Sequence, residues 1–177
     1  VLKQDGSVWA TGLNNWGQLG DRSTTRRRRF VQVISSAKAV AAGKYHSMVL
    51  KQDGSVIAAG RNVEGQLGDG SYTRRSSFVK VISSGVEAVA AGERHSMVLK
   101  QDGSVWATGA NNEGQLGDGS GIDKSTFVLV ISTKTGPLRK SALPHHHHTP
   151  HRIIFVNGRL PALHVSPYAE MLVYTQY

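Results

Sequence analysis

Apolar and small residues come in short runs along this chain, separated by clusters of Gly, Asp, Asn and Ser. Between Ala37 and Ser84 four such runs read as strands: AKAVAAG (Ala37–Gly43), HSMVL (His46–Leu50), SVIAAG (Ser55–Gly60) and FVKVI (Phe78–Ile82). The last is rich in β-branched and aromatic residues, which suit a pleated surface. Asp53-Gly54 is a tight-hairpin signal, because Gly tolerates the positive φ that such a turn needs. Four short strands joined by turns predict one antiparallel sheet. The runs do not alternate cleanly between apolar and polar, so that sheet is expected to be covered on both faces. A β-propeller blade meets this condition by packing against a blade on either side, and a solenoid of stacked sheets meets it equally. No segment sustains a 3.6-residue apolar stripe, and 20 glycines disfavour helix.

The unit repeats. GQLGD stands at Gly17–Asp21, Gly65–Asp69 and Gly114–Asp118, with LKQDGSV before each copy and FV-x-VI after it. Equivalent stretches open at Lys3, Lys51 and Lys100, a spacing of 51 − 3 = 48 and then 100 − 51 = 49 residues. A period of this length marks a stacked or circular repeat architecture. Within each copy the glycines (Gly17, Gly65, Gly114) permit sharp backbone turns. Leu19, Leu67 and Leu116 are expected to anchor the loop by burial between sheets, at ~2 kcal/mol apiece. Asp21, Asp69 and Asp118 are expected to accept backbone N–H bonds and close the turn. A phosphate-binding loop is disfavoured, since no helix start and no Gly-Lys-Ser/Thr follows.

These pieces resemble the regulator-of-chromosome-condensation (RCC1-like) repeat family. The resemblance rests on AVAAGKYHSMVLKQDGSVIAAGRNVEGQLGDG (Ala39–Gly70), AVAAGERHSMVLKQDGSVWATGANNEGQLGDG (Ala88–Gly119) and a partial copy from Val1 to Asp21. It implies an all-β fold: a partial, open β-propeller of about three four-stranded antiparallel blades over residues 1–132, with joins near 36 and 84. Family propellers typically have seven blades, so a closed ring would take ~340 residues, and this chain is expected to be a fragment of a larger propeller. Many members carry Trp before the Gly that ends the third strand, where this chain has Thr11, Ala59 and Thr108. Its aromatics lie two residues earlier, at Trp9 and Trp106, which is similar to a divergent microbial branch. The plant ultraviolet-B photoreceptor of the family uses Trp where this chain has Lys44 and Glu93, so that chromophore is lacking.

Charge adds a direction. The formal net charge is +9, with 16 Lys and Arg against 11 acids through Ser132, and a basic balance favours acidic protein surfaces or phosphate backbones as partners. Arg26, Arg27, Arg28 and Arg29 precede the last strand of the first copy; Arg74, Arg75 and Lys124 are their counterparts. They are read as variable rim loops, the place where partners bind a repeat scaffold. His46 and His95 recur at matching positions and are read as structural, hydrogen-bonded to a neighbouring loop or blade. No acid–base pair, nucleophile or metal set stands out from the repeat background, and there is no Cys. The expectation is a non-enzymatic protein–protein interaction module with no cofactor and no membrane partner. The resemblance implies a cytoplasmic or nuclear protein, and as an alternative a chromatin-binding member or guanine-nucleotide exchange factor for a small GTPase. Exchange on Ran depends on a whole propeller face and a protruding hairpin, and no insertion interrupts the joins between copies here. Failure to accelerate nucleotide release from a panel of small GTPases is the result that counts against that alternative.

After Ser132 the repeat stops, and residues 133–177 read as a low-complexity, irregular tail. His145–His148 with His151 lack a defined ligand spacing, Asn157-Gly158 is a hairpin signal, and Ala169–Tyr177 fits a short strand or helix. The tail is read as out-of-frame or retained non-coding sequence in preference to a genuine extension, and a transcript crossing Ser132 tests that.

Overall fold

The computed structural model describes residues 1–132; the readings made on the tail lie outside the described residues. Ten strands form three antiparallel meanders. The first is the pair β1 (Val8–Gly12) and β2 (Arg27–Ile34). The second is β3 (Ala39–Ala42), β4 (His46–Leu50), β5 (Val56–Gly60) and β6 (Arg75–Ile82), in chain order. The third repeats it with β7 (Val86–Ala91), β8 (His95–Lys100), β9 (Val105–Gly109) and β10 (Lys124–Ile131). In the first copy Val1 and Leu2 stand where Val49 and Leu50 end β4, and Leu2 bridges Val8, so this sheet has two full strands.

Residue-by-residue equivalence extends to irregularities. Val8, Val56 and Val105 face Ile34, Ile82 and Ile131, and all three outer pairs slip register between that point and the next. A second slip precedes the pairing of Gly12, Gly60 and Gly109 with Arg27, Arg75 and Lys124. Bulges kept at the same places raise local twist, which lets successive sheets fan instead of stacking flat. The hairpins between β4 and β5 and between β8 and β9 turn at Gly54 (φ +76°) and Gly103 (φ +78°). Asp53 and Asp102 accept from the backbone N–H and hydroxyl of Ser55 and Ser104 at 2.6–2.9 Å, closing each loop.

The core lies between sheets. Met48, Leu50, Val56, Ala58 and Leu67 are completely buried and join Val86 and Val98 of the third sheet. Val49 packs instead with Val8 of the first sheet, and Ile57 and Phe78 pack on that side too. Consecutive strand residues therefore face different apolar neighbours. This is why no polar-apolar alternation marks β4 and β5 of the second repeat: both faces of these two strands are covered.

Candidate functional site

Two regions carry chemistry beyond the core: the loop containing GQLGD, and the arginine run on β2. The loop is organised around an asparagine that recurs at Asn14, Asn62 and Asn111, each completely buried. Its side-chain oxygen accepts the backbone N–H of Leu19, Leu67 or Leu116 at 2.9–3.0 Å. Its amide donates to Asp21, Asp69 or Asp118 at 2.9–3.0 Å. The same amide reaches the carbonyls of Ser71 (2.9 Å) and Thr73 (3.2 Å) in the second copy. One buried side chain thus ties both halves of the loop, and leucine is held where it fills the core: Leu67 is completely buried and Leu116 is 1 % exposed.

The aspartates close the other half. Asp21, Asp69 and Asp118 accept the backbone N–H of Ser23, Ser71 and Ser120 at 2.8–3.0 Å. Burial pushes Asp21 and Asp69 up, but hydrogen bonds from Ser23 with Arg27, and from Ser71 with Arg75, outweigh it and hold both below 3.8. The Ser120 N–H and hydroxyl take Asp118 down to about 2.

Each loop clasps the next sheet. Asp21 bridges Ser77 and Asp69 bridges Thr126, on the outer strands β6 and β10. Arg22 N–H donates to the Ser76 carbonyl and Gly70 N–H to the Ser125 carbonyl, both at 2.9 Å. Glycine is required at the contact: a Cβ on Gly65 would lie 2.5 Å from the Lys124 carbonyl oxygen, and one on Gly68 2.4 Å from the Phe127 ring. Gly17 and Gly20 meet Ser76 and Phe78 in the same way. Around Gly114 and Gly117 a Cβ meets nothing within 4 Å. Gly65→Ala is therefore expected to cost about 2 kcal/mol more than Gly114→Ala, since both share the positive-φ penalty and only the first adds overpacking. Urea unfolding of both variants at dilute protein checks this difference.

Nearer the inner strands, Ser47 donates to the Gln18 carbonyl at 2.7 Å and Ser96 to the Gln66 carbonyl at 2.6 Å. His46 Nε2 lies 2.9 Å from Ser96 Oγ. The serine proton is committed to Gln66, so His46 donates from Nε2 and its Nδ1 is left buried without a partner. Desolvation, with His95 nearby, lowers its pKa to about 4; burial lowers His95 as well. Lys44 and Glu93 pair across the same two sheets at 2.8 Å, both about half exposed.

The arginines divide. Of the run expected in a loop, Arg27, Arg28 and Arg29 belong to strand β2, and Arg75 and Lys124 open β6 and β10. The outer strands start three residues before the aromatic run because Arg27, Arg75 and Lys124 pair with Gly12, Gly60 and Gly109 of the preceding strand, beyond a register slip. Arg27 and Arg75 Nε bind Asp21 and Asp69, and Lys124 lies 3.3 Å from Asp118, so these three brace the loops. Arg26, Arg28, Arg29 and Arg74 are exposed and make no ion pair among the described residues. Sequence reasoning singled out the Gly, Leu and Asp of each loop and passed over its Asn and the Ser47/Ser96 pair. Their recurrence was the available signal: Asn stands in all three loop copies, and HSM in both complete ones.

A two-stranded sheet and two four-stranded meanders packed in series, the first two each clasping the outer strand of the next, define an open segment of a β-propeller. Two family profiles described as regulator of chromosome condensation (RCC1) repeat match, one over residues 5–50 and 53–99, just over half of the chain, the other over 37–66 and 86–115. The chain belongs to the RCC1 repeat family. Its fold is similar to yeast RCC1 (Prp20) in a complex with Kap60, with a TM-score of 0.68 and 23% identity over 76% of this chain and 35% of that one. Prp20p from Saccharomyces cerevisiae, in a structure described with its binding properties to Gsp1p and histones, gives 0.67 at 23% identity, over 76% and 36%. Human WBSCR16 gives 0.61 at 23% identity, over 78% and 38%. The chain thus spans little more than a third of the length of these structures. No curated protein sequence matches.

Proposed function

We propose that this chain is a non-enzymatic protein-binding module, and that its partner presents an acidic surface to the outer strand β2 and the turn before it. The observation that carries this is the division of the arginines. Arg27 braces Asp21, while Arg26, Arg28 and Arg29 project beside it with no acidic partner among the described residues. Three like charges within residues 26–29 repel one another, and a carboxylate-rich surface relieves that repulsion. Arg74 adds a cation at the equivalent turn of the second sheet. The binding of Prp20p to Gsp1p and histones supports a protein partner for a scaffold of this kind.

Replacing Arg26, Arg28 and Arg29 by Ser, with Arg27 kept, is expected to weaken binding to an acidic polypeptide such as polyglutamate about tenfold at low salt, at ~0.5 kcal/mol per exposed charge. The slope of affinity against salt should flatten with it. Titration calorimetry across a salt series checks both. An unchanged slope, or binding only to a DNA duplex, overturns the reading.

A further inference from the structure

One residue of the clasp between the first and second sheets departs from the repeat. Arg22 holds a left-handed backbone, φ +66°, where the equivalent Gly70 and Gly119 take φ +79°. Among the described residues it is the one residue other than glycine in this region, which disfavours any side chain with a Cβ. The fold gains nothing from the arginine. Its backbone N–H donates to the Ser76 carbonyl at 2.9 Å, and Gly70 N–H does the same for Ser125 without a side chain. Arg22 is exposed, and its guanidinium makes no ion pair, hydrogen bond or ring contact among the described residues. A strained backbone kept without a structural use points to a function for the side chain. Across the joint, Arg74 precedes Ser76 by two residues, at most about 7 Å of backbone, and is likewise exposed without an ion pair among the described residues. At the joint between the second and third sheets the same two positions are Gly70 and Asp123, and Asp123 accepts the Asn111 N–H at 2.8 Å. The first joint therefore brings together two free cations where the second has an acid and no cation. Both of its sheets are described, and the third covers the far side of the second, so this exposure is that of a joint with both partners in place.

We infer that Arg22 and Arg74 form an anion-binding site across the joint of the first and second sheets, and that Arg22 keeps its left-handed backbone to place a cation there. The ligand is a run of carboxylates on a partner polypeptide, each of which a guanidinium fork can take side-on. Arg26 stands on the same loop as Arg22, and Asn14 orders the stretch between them by donating to the Ser23 and Thr25 carbonyls at 3.1 and 3.2 Å. The site thus continues from the turn before β2, through one ordered loop, to the neighbouring sheet. Because that loop is already hydrogen-bonded to β6, the backbone carrying these cations needs no ordering when the partner arrives. The inference rests on the acidic partner proposed above and adds where it sits: astride the first joint, and not the second.

Titration calorimetry of the whole 177-residue chain with polyglutamate, paired with urea unfolding in its absence, tests this. Arg22→Gly installs the residue that the other copies use. It should weaken binding about twofold while leaving the urea midpoint level with the native chain or above it. Arg22→Gly combined with Arg74→Ser should weaken binding about fivefold and flatten its salt dependence, with the midpoint again no lower. A midpoint that falls in Arg22→Gly would give the arginine a structural role and overturn the inference. So would native affinity in the double variant while the Ser replacements of Arg26, Arg28 and Arg29 weaken binding, an outcome that leaves the acidic partner standing. A native chain that binds no polyglutamate at low salt overturns this inference together with the reading it rests on.

Discussion

Asn62→Ala is expected to lower the unfolding free energy by about 3 kcal/mol, the largest effect of any single polar substitution in the repeat. The change removes an acceptor 2.9 Å from the Leu67 N–H and a donor shared by Asp69 and two backbone carbonyls. The Leu67 N–H gains no water in exchange, because it and the Asn62 side chain are buried. An unsatisfied buried amide and a carboxylate that has lost one hydrogen bond each cost a substantial part of the total. The damage spreads to packing, since Leu67 is seated by that N–H and belongs to the core between the second and third sheets. Asn15→Ala is the control: its side chain is exposed beside buried Asn14, and the expected change is about 0.5 kcal/mol or less. Urea denaturation followed by tryptophan fluorescence measures both. Equal midpoints for the two variants would remove the asparagine from the centre of the loop.

The two neighbouring asparagines also show where sequence reading stopped. The 48- and 49-residue spacing revealed the repeat, and turn and strand signals placed four strands in a copy, because hairpin and sheet chemistry is local. Strand β4 falls on His46–Leu50 as expected. The start of β6 at Arg75 was missed, because Arg75 pairs with Gly60 only across a register slip and the polar residues Arg75–Ser77 carry no apolar strand pattern. The site divides along the same line. Gly17, Leu19 and Asp21 with their counterparts attract notice as turn formers and apolar anchors. Gly20 and Gly68 gain their meaning from Phe78 and Phe127, each nearly sixty residues further on. Likewise, an arginine beside an aspartate six residues away cannot be told from a free one until the loop closes. Four arginines in a row looked alike, and burial of the Asp21 carboxylate separates Arg27 from the rest.

Lowering the pH from 7 to 4 is expected to remove about 3 kcal/mol of stability through His46 alone, before the carboxylates contribute. In the folded chain this imidazole keeps its proton on Nε2 for Ser96, and a second proton on Nδ1 finds no acceptor. Its folded pKa of about 4 lies below the ordinary 6.5, so the unfolded chain takes up the proton first as the pH falls. The stability is therefore whole above 6.5, falls by about 1.4 kcal/mol per pH unit below that, and levels off under 4. His95, shifted down by burial, acts with the same sign. The clasp carboxylates act in a separate window: their stabilisation is present above 3.8 and is lost only as the pH falls through their lower folded values, about 2 for Asp118. His46→Gln retains an amide N–H for Ser96 without a titrating proton, and should flatten the slope between pH 6.5 and 4 while leaving the acid limb below 3.8 in place. Urea midpoints measured at half-unit pH steps read the two windows apart. A slope between 6.5 and 4 that is the same in the variant and the native chain would show that His46 does not carry the acid lability of the joint.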